Sequence, residues 1–309
     1  MKRSNKIYIA GRFGMVGSSI EREMKRQGYS NIIGLSSSEL DLKNTVDVEE
    51  FFKVQKPDYV ILAAAKVGGI QANIDNPATF LYDNLMIQNN VIHSSYKYGV
   101  KKLLFLASSC VYPRLAPQPM KEEYLLDGKL EPTNEGYAIA KIAGIKMCEM
   151  YNKQYKTNFI SVMPCNVYGL GDNFELKKSH VVAGLMRKFH EAKVNNFDSV
   201  KVWGTGNARR ELMFSDDLAE ACIFLMQNYN GSDFINIGVG EDISICDLAH
   251  LISSVVGYEG EILFDTSMPD GMPQKVLDLS KLHQIGWEYK TSLVDGLNIT
   301  YEWFLKNHV

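Results

Sequence analysis

Tyr137 and Lys141 stand four residues apart in the stretch Glu135-Gly136-Tyr137-Ala138-Ile139-Ala140-Lys141. Residues 133–155 read as one helix, and positions four apart share a helix face. A free phenol has a pKa of about 10 and exchanges protons poorly near neutral pH. An ammonium beside it favours the phenolate and draws that value towards the working range. Such a pair suits a reaction that gives a proton to, or takes one from, a sugar or alcohol oxygen. Alone the pattern is weak, because most Tyr-x-x-x-Lys pairs lie on solvated helix faces. Its neighbours have to decide.

The elements that would position this pair begin at the N-terminus. An apolar strand at residues 6–10 runs straight into Gly11-Arg12-Phe13-Gly14-Met15-Val16-Gly17, which opens a helix with Val16, Ile20 and Met24 inward. Strand, glycine turn and helix make a phosphate cradle: the backbone can approach closely and the helix N-terminus faces the diphosphate. Many nicotinamide enzymes end the second strand, here residues 31–35, with an acidic residue that holds the ribose 2′-hydroxyl. Ser36-Ser37-Ser38 stands there instead. With no carboxylate to repel a 2′-phosphate and Arg12 in the glycine loop, NADPH is favoured over NADH. Asp41 is a candidate for the adenine amino group or for capping the next helix.

A third strand, 58–64, leads into Ala65-Lys66-Val67-Gly68-Gly69, and Asn76-Pro77 starts a long helix with Asn as N-cap. The fourth strand, 102–107, ends at Ser108-Ser109-Cys110. This order predicts an α/β fold, a Rossmann-type doubly wound parallel sheet that binds ligands at the carboxyl ends of its strands. After residue 165 the rhythm changes. A helix at 180–193, a strand at 200–203, a helix at 216–227 capped by Ser215 and a strand at 234–237 follow. Ser244 and Asp247 open a helix to Val256, and a last helix spans 293–306. The expected division is an NADP(H)-binding domain at 1–165 with a return at 211–240. A smaller mixed α/β substrate domain would take 166–210 and 241–309.

Hydrophobic residues make up 46% of the 309 and charged residues 22%, so a full core forms. The net charge of −3 comes without a basic stripe, which excludes nucleic acid as the main partner. The five cysteines are scattered and none forms C-x-x-C, so neither a zinc site nor a disulfide framework is expected. That usage, an apolar run too short for a leader, and no stretch of ~20 apolar residues predict a cytoplasmic protein without a membrane partner.

Glycine loop, serine pair and Tyr–Lys helix together resemble the extended short-chain dehydrogenase/reductase family. Ala63-Ala64-Ala65-Lys66-Val67-Gly68-Gly69-Ile70, Ser108-Ser109-Cys110-Val111-Tyr112-Pro113 and Glu131-Pro132-Thr133-Asn134-Glu135 look like the GDP-L-fucose synthases within it. So do Asp172-Asn173-Phe174, Ser179-His180-Val181 and Arg210-Glu211, and the likeness runs from about residue 6 to 307. It implies a GDP-4-keto-6-deoxymannose 3,5-epimerase and 4-reductase that uses NADP(H) and needs no metal. Ser108 would hold the ketone oxygen and Tyr137 would protonate it, with Lys141 lowering the tyrosine pKa and holding the nicotinamide ribose. The C4 ketone acidifies the protons on C3 and C5, and Cys110 and His180 would be the acid and base that invert those carbons. Arg12, Phe13, Met15 and Val16 with the three glycines would hold the cofactor, as would Ser37, Asp41, Leu42, Leu106, Ala107, Ser108 and Ser109. Tyr137, Lys141, Pro164, Asn166, Val167 and His180 complete that set. Asn166, Lys188, Trp203, Arg210, Asp270 and Lys275 would hold the GDP-sugar, with Arg210 on the diphosphate. The family also implies a homodimer built on the helices that start at Pro77 and Asn134.

The chain departs from the family pattern at several of these places. Lys188 stands where Arg is common, and Phe13 and Ser37 replace basic residues that hold the 2′-phosphate in bacterial relatives. Cys165 stands where Thr is usual, and Leu170 where Pro is. These changes admit a sister activity, a C4-reductase without epimerisation acting on a GDP-4-keto heptose. A non-catalytic cofactor-sensing protein on the same fold is a third reading, and intact Ser108, Tyr137 and Lys141 argue against it.

Overall fold

Ile7-Tyr8-Ile9-Ala10 is buried at every residue. A strand covered on both faces by helices has to be continuously apolar in this way. In the computed structural model, which describes residues 1–176, 179–268 and 270–309, this segment is β1, an inner strand of the main sheet next to its edge strand. The first half alternates β1 (Ile7–Ala10), α1 (Met15–Arg26), β2 (Ile32–Ile33), α2 (Thr45–Gln55) and β3 (Tyr59–Leu62). It continues through α3 (Ile70–Asp75), α4 (Pro77–Lys97), β4 (Lys102–Leu106), α5 (Glu135–Tyr155) and β5 (Phe159–Pro164). Then come β6 (Asn166–Tyr168), α6 (Val181–Val194), β7 (Ser199–Trp203), β8 (Arg209–Arg210), β9 (Leu212–Phe214), α7 (Ser215–Asn228) and β10 (Ile235–Ile237). The chain ends with β11 (Ile243–Ser244), α8 (Ile245–Val256), β12 (Glu261–Asp265), β13 (Gln274–Lys275), α9 (Ser280–Ile285) and α10 (Leu293–His308).

The main sheet has six strands in the order β10-β5-β4-β3-β1-β2, all parallel. Strand order reverses between β1 and β3, and this switch point opens a crevice at the carboxyl ends. The carboxyl ends of β1, β3 and β4, with the loops that follow them, therefore face one crevice. Two apolar cores form. One lies on both faces of the main sheet and takes in Leu277, Leu279, Leu282 and Trp287 from the C-terminal part. The other joins α6, α8 and α10 to β7 and β9.

The long helix holding Tyr137 starts at Glu135, two residues later than expected, because Pro132–Asn134 forms a separate 3-10 turn. Two expected caps are not made. Asn76 is at the N-cap of α4, yet its amide turns back to the Ala72 carbonyl. Ser215 is the first residue of α7 and not its cap, and its hydroxyl is bonded by Ser19 of α1, tying the two helices. Ser244 does cap α8 through the Asp247 N–H.

Glu211, between β8 and β9, ties that segment to the turn after β10 and to Leu277 after β13. Its buried carboxylate accepts N–H bonds from Val239 (2.7 Å), Gly240 (2.8 Å) and Leu277 (2.8 Å). Burial outweighs those bonds and pushes its pKa from 4.5 to about 7. A carboxyl whose folded pKa is raised binds its proton more tightly in the folded state. Its contribution is therefore full below the unfolded value and is lost as pH rises through the folded one. Stability should fall between pH 4.5 and about 7, by on the order of 3 kcal/mol from this group. Urea unfolding across that window should show the fall, and Glu211→Gln should remove most of it. Asp172, raised to about 6, acts in the same direction. A flat profile would contradict the assignment.

Candidate active site

The cradle at β1 is built to admit a diphosphate. Gly11 has φ +85°, and a side chain there would strike the Ala63–Ala64 backbone. A Cβ on Gly17 would lie 2.1 Å from the Gly11 carbonyl oxygen. Gly14 is the N-cap of α1 and gives no side-chain cap, so the first N–H groups of the helix point outward unclaimed by a capping side chain. These features fit a dinucleotide cofactor. Gly17→Ala should part α1 from β1 and weaken NADPH binding about 100-fold, a loss of roughly 2.7 kcal/mol. Fluorescence titration would measure it, and unchanged affinity would remove the close approach from the account.

The end of β2 departs from expectation. Glu39 folds back and its carboxylate accepts from the Ser36 N–H (2.8 Å) and hydroxyl (2.7 Å). A carboxylate is therefore present where the sequence suggested none, and these bonds keep its pKa low. Arg12 reaches the same place, because Gly34 leaves room for its stem. Its guanidinium is held by Glu21 through two bonds of 2.6 Å and lies 5.6 Å from the exposed Phe13 ring. Ser37 is exposed on that turn. Asp41 accepts from the Lys43 N–H, and Asn44, not Asp41, caps α2. Leu42 donates nothing by side chain, but its carbonyl is bonded by the buried Asn90 amide.

At the end of β4, Ser108 leads into a 3-10 turn, Ser109–Val111, that carries Cys110. The Ser108 hydroxyl lies close to both the Cys110 thiol and the Tyr137 phenol. Tyr112 pins this turn: its hydroxyl donates to Asn236 Oδ1 at 2.6 Å, and Asn236 donates in turn to the Met120 and Asp278 carbonyls. Asn236 was not singled out from sequence, although a lone amide between two isoleucines of a buried strand was a legible signal. On the β3 side, Asn84 of α4 holds the Lys66 N–H and carbonyl and so fixes the loop to Gly69.

The Tyr–Lys pair is assembled differently from the simple expectation. Lys141 donates to the Leu106 carbonyl at 2.7 Å, and its nitrogen is 5.8 Å from the Tyr137 ring centre. Burial brings its pKa down to about 8. Burial also drives the Tyr137 pKa up, and Ser108 is the group that opposes this, not Lys141. Tyr137 is thus held as a neutral phenol, a proton donor. Cys110 is buried and its thiol pKa is raised by that burial. His180 is the N-cap residue of α6. It is open to water yet surrounded by protein, which lowers its imidazole pKa.

Pro164 ends β5, and Asn166 and Val167 lie in β6 beside β9. Ser109, Cys165, Asn166, Glu211 and Lys275 line one small cavity next to Cys110. The remaining predicted substrate residues form an adjoining wall. Lys188 sits 5.5 Å from the half-exposed Trp203 ring, and Asp270 accepts from the Thr205 N–H and hydroxyl. Arg210 donates to the Arg209, Met272 and Asp270 carbonyls, so it braces the loop that carries Asp270.

Residues 7–238 match the NAD dependent epimerase/dehydratase family. GDP-L-fucose synthase 1 of Arabidopsis thaliana is 55% identical over 99% of this chain and 94% of its own. A GDP-6-OMe-4-keto-L-xylo-heptose reductase from C. jejuni superimposes with a TM-score of 0.96 at 41% identity, covering 100% of this chain and 99% of that one. A GDP-L-fucose synthetase from Naegleria fowleri bound to NADP gives 0.92 at 29% identity, covering 100% and 96%.

Proposed function

Because this chain belongs to the NAD dependent epimerase/dehydratase family, on its GDP-L-fucose synthase branch, we propose that it reduces C4 of a GDP-4-keto sugar with NADPH and inverts C3 and C5 of the same ring. The observation that carries the reading is the convergence of Ser108, Cys110 and the neutral Tyr137 on one point at the carboxyl end of β4. A ketone oxygen placed there meets Ser108 as a hydrogen-bond donor and Tyr137 as an acid. The reduced nicotinamide supplies the hydride that C4 receives. Lys141, its ammonium set against the Leu106 carbonyl, is placed to hold the nicotinamide ribose. Before reduction, the ketone makes the C3 and C5 protons removable. Cys110 and His180 serve as the acid and base that exchange them on opposite faces.

Gly11, Gly14 and Gly17 hold the diphosphate of the cofactor. Arg12 reaches its 2′-phosphate by giving up part of its bond to Glu21. Lys188, Trp203 and Arg210 hold the GDP. No helix among the described residues is long and apolar enough to cross a membrane. We read the protein as a cytoplasmic homodimer that makes a polysaccharide precursor. The outer face of α4 and α5 supports the dimer: Tyr82, Ile139, Met150 and Tyr155 are exposed there beside a stacked Tyr96–Tyr155 pair.

A second reading, C4 reduction of a GDP-4-keto heptose without epimerisation, is favoured by the close superposition on the heptose reductase. Product NMR after reaction with GDP-4-keto-6-deoxymannose and NADPH separates the two. Formation of the 3,5-inverted alcohol supports the first reading. Turnover only with heptose substrates supports the second.

A further inference from the structure

We propose that Glu21 is a specificity-determining residue for the cofactor: it holds Arg12 turned onto α1 and so limits how much tighter NADPH is bound than NADH. The inference rests on the reading of the glycine cradle as an NADP(H) site, with Arg12 as its cation, and deepens it. The stem of Arg12 lies over Gly34, where an added Cβ would stand 2.7 Å from both the Arg12 Cβ and Cδ. The side chain is thus rooted beside the end of β2, where a Rossmann-type fold receives the adenosine ribose. Its head goes to α1 instead. Nε and Nη2 donate to the two oxygens of the Glu21 carboxylate, each at 2.6 Å, and only 24% and 14% of the two side chains is exposed.

Guanidinium holds a phosphate best through a fork of two parallel N–H bonds. Glu21 occupies the edge of that fork made by Nε and Nη2. A phosphate must therefore be met at the remaining end of the guanidinium, or must turn the whole head away from Glu21. The carboxylate charge opposes both. Glu21 does not give up that charge easily: the Arg12 bonds first, and Lys25 at 2.5 Å with them, draw its pKa down to about 2. The turn after β2 repeats the arrangement. Glu39 already takes the Ser36 N–H and hydroxyl, two donors that a phosphate could use. A carboxylate about 20 residues past the glycine turn is also the group that accepts from a free ribose 2′-hydroxyl. The folded turn is thus ready for NADH as it stands. NADPH has to displace Glu39 and draw Arg12 from Glu21.

The test reads binding, with no sugar present. Dissociation constants for NADPH and NADH are measured by fluorescence titration on the full-length protein, on Glu21→Gln, on Arg12→Ala and on the double variant. Glu21→Gln should tighten NADPH about 10-fold and move NADH by less than about 2-fold. In the Arg12→Ala background the same substitution should bring no gain, because the effect runs through the guanidinium. Glu21→Ala repeats the measurement should the glutamine variant fail to fold. An unchanged ratio of the two constants overturns the proposal. So does weaker NADPH binding in Glu21→Gln, because Glu21 would then hold Arg12 ready for the phosphate instead of withholding it. A gain that survives Arg12→Ala overturns it as well. Failure of the cofactor reading itself would look different: the unaltered protein would bind neither nucleotide, and the proposal would fall with it.

Discussion

Tyr137→Phe is expected to lower ketone reduction between about 10²- and 10⁴-fold while leaving NADPH affinity unchanged. The phenol is the acid that the developing alkoxide meets, and its ring can be kept while only the proton is removed. Absorbance loss of NADPH with a GDP-4-keto sugar measures the first quantity, and fluorescence titration the second. The pH profile adds a discriminating detail. Burial raises the Tyr137 pKa, so the phenol remains a proton donor across the working range. Lys141 has its pKa brought down to about 8. Reduction should therefore fall as pH rises through about 8, when Lys141 loses its charge. Lys141→Arg should move that limb to higher pH, since guanidinium stays protonated. Retained turnover in Tyr137→Phe would remove the phenol from the chemistry.

Cys110→Ser should carry the second large effect. A serine hydroxyl gives up its proton far less readily than a thiol, so solvent deuterium should cease to enter C3 and C5 of the sugar, a loss of at least about 10²-fold. Cys110 is buried, and its replacement by the near-isosteric serine places an oxygen beside Ser108 without opening a cavity. Reduction of a ketone that needs no inversion should survive. Unchanged exchange in this variant would mean that another group removes the proton.

Much of this architecture was legible because apolar runs and glycine spacing are local signals. The order of strands and helices, the cradle at Gly11 and Gly17, and the placement of Ser108 beside Tyr137 followed from them. The misreadings share one physical cause: they depend on where a side chain turns once the fold has formed. Glu39 bends back onto Ser36, which no pattern of residue types announces. Arg12 is taken by Glu21, a residue on the following helix. Lys141 prefers a carbonyl on β4 to the phenol one turn away. Ser215 had the composition of a cap but tertiary contact with Ser19 claims it. Lys275 was legible only as one more cation. Its place beside Arg210 exists only once β13 has paired with β8.

The central claim is that one site inverts and reduces the same sugar ring. The most direct measurement incubates the protein with GDP-4-keto-6-deoxymannose and NADPH in deuterated water, follows NADPH oxidation and locates deuterium in the product by NMR. The account predicts oxidation together with deuterium at both C3 and C5. Oxidation without deuterium at either carbon would contradict it and leave a C4-reductase that depends on a separate epimerase.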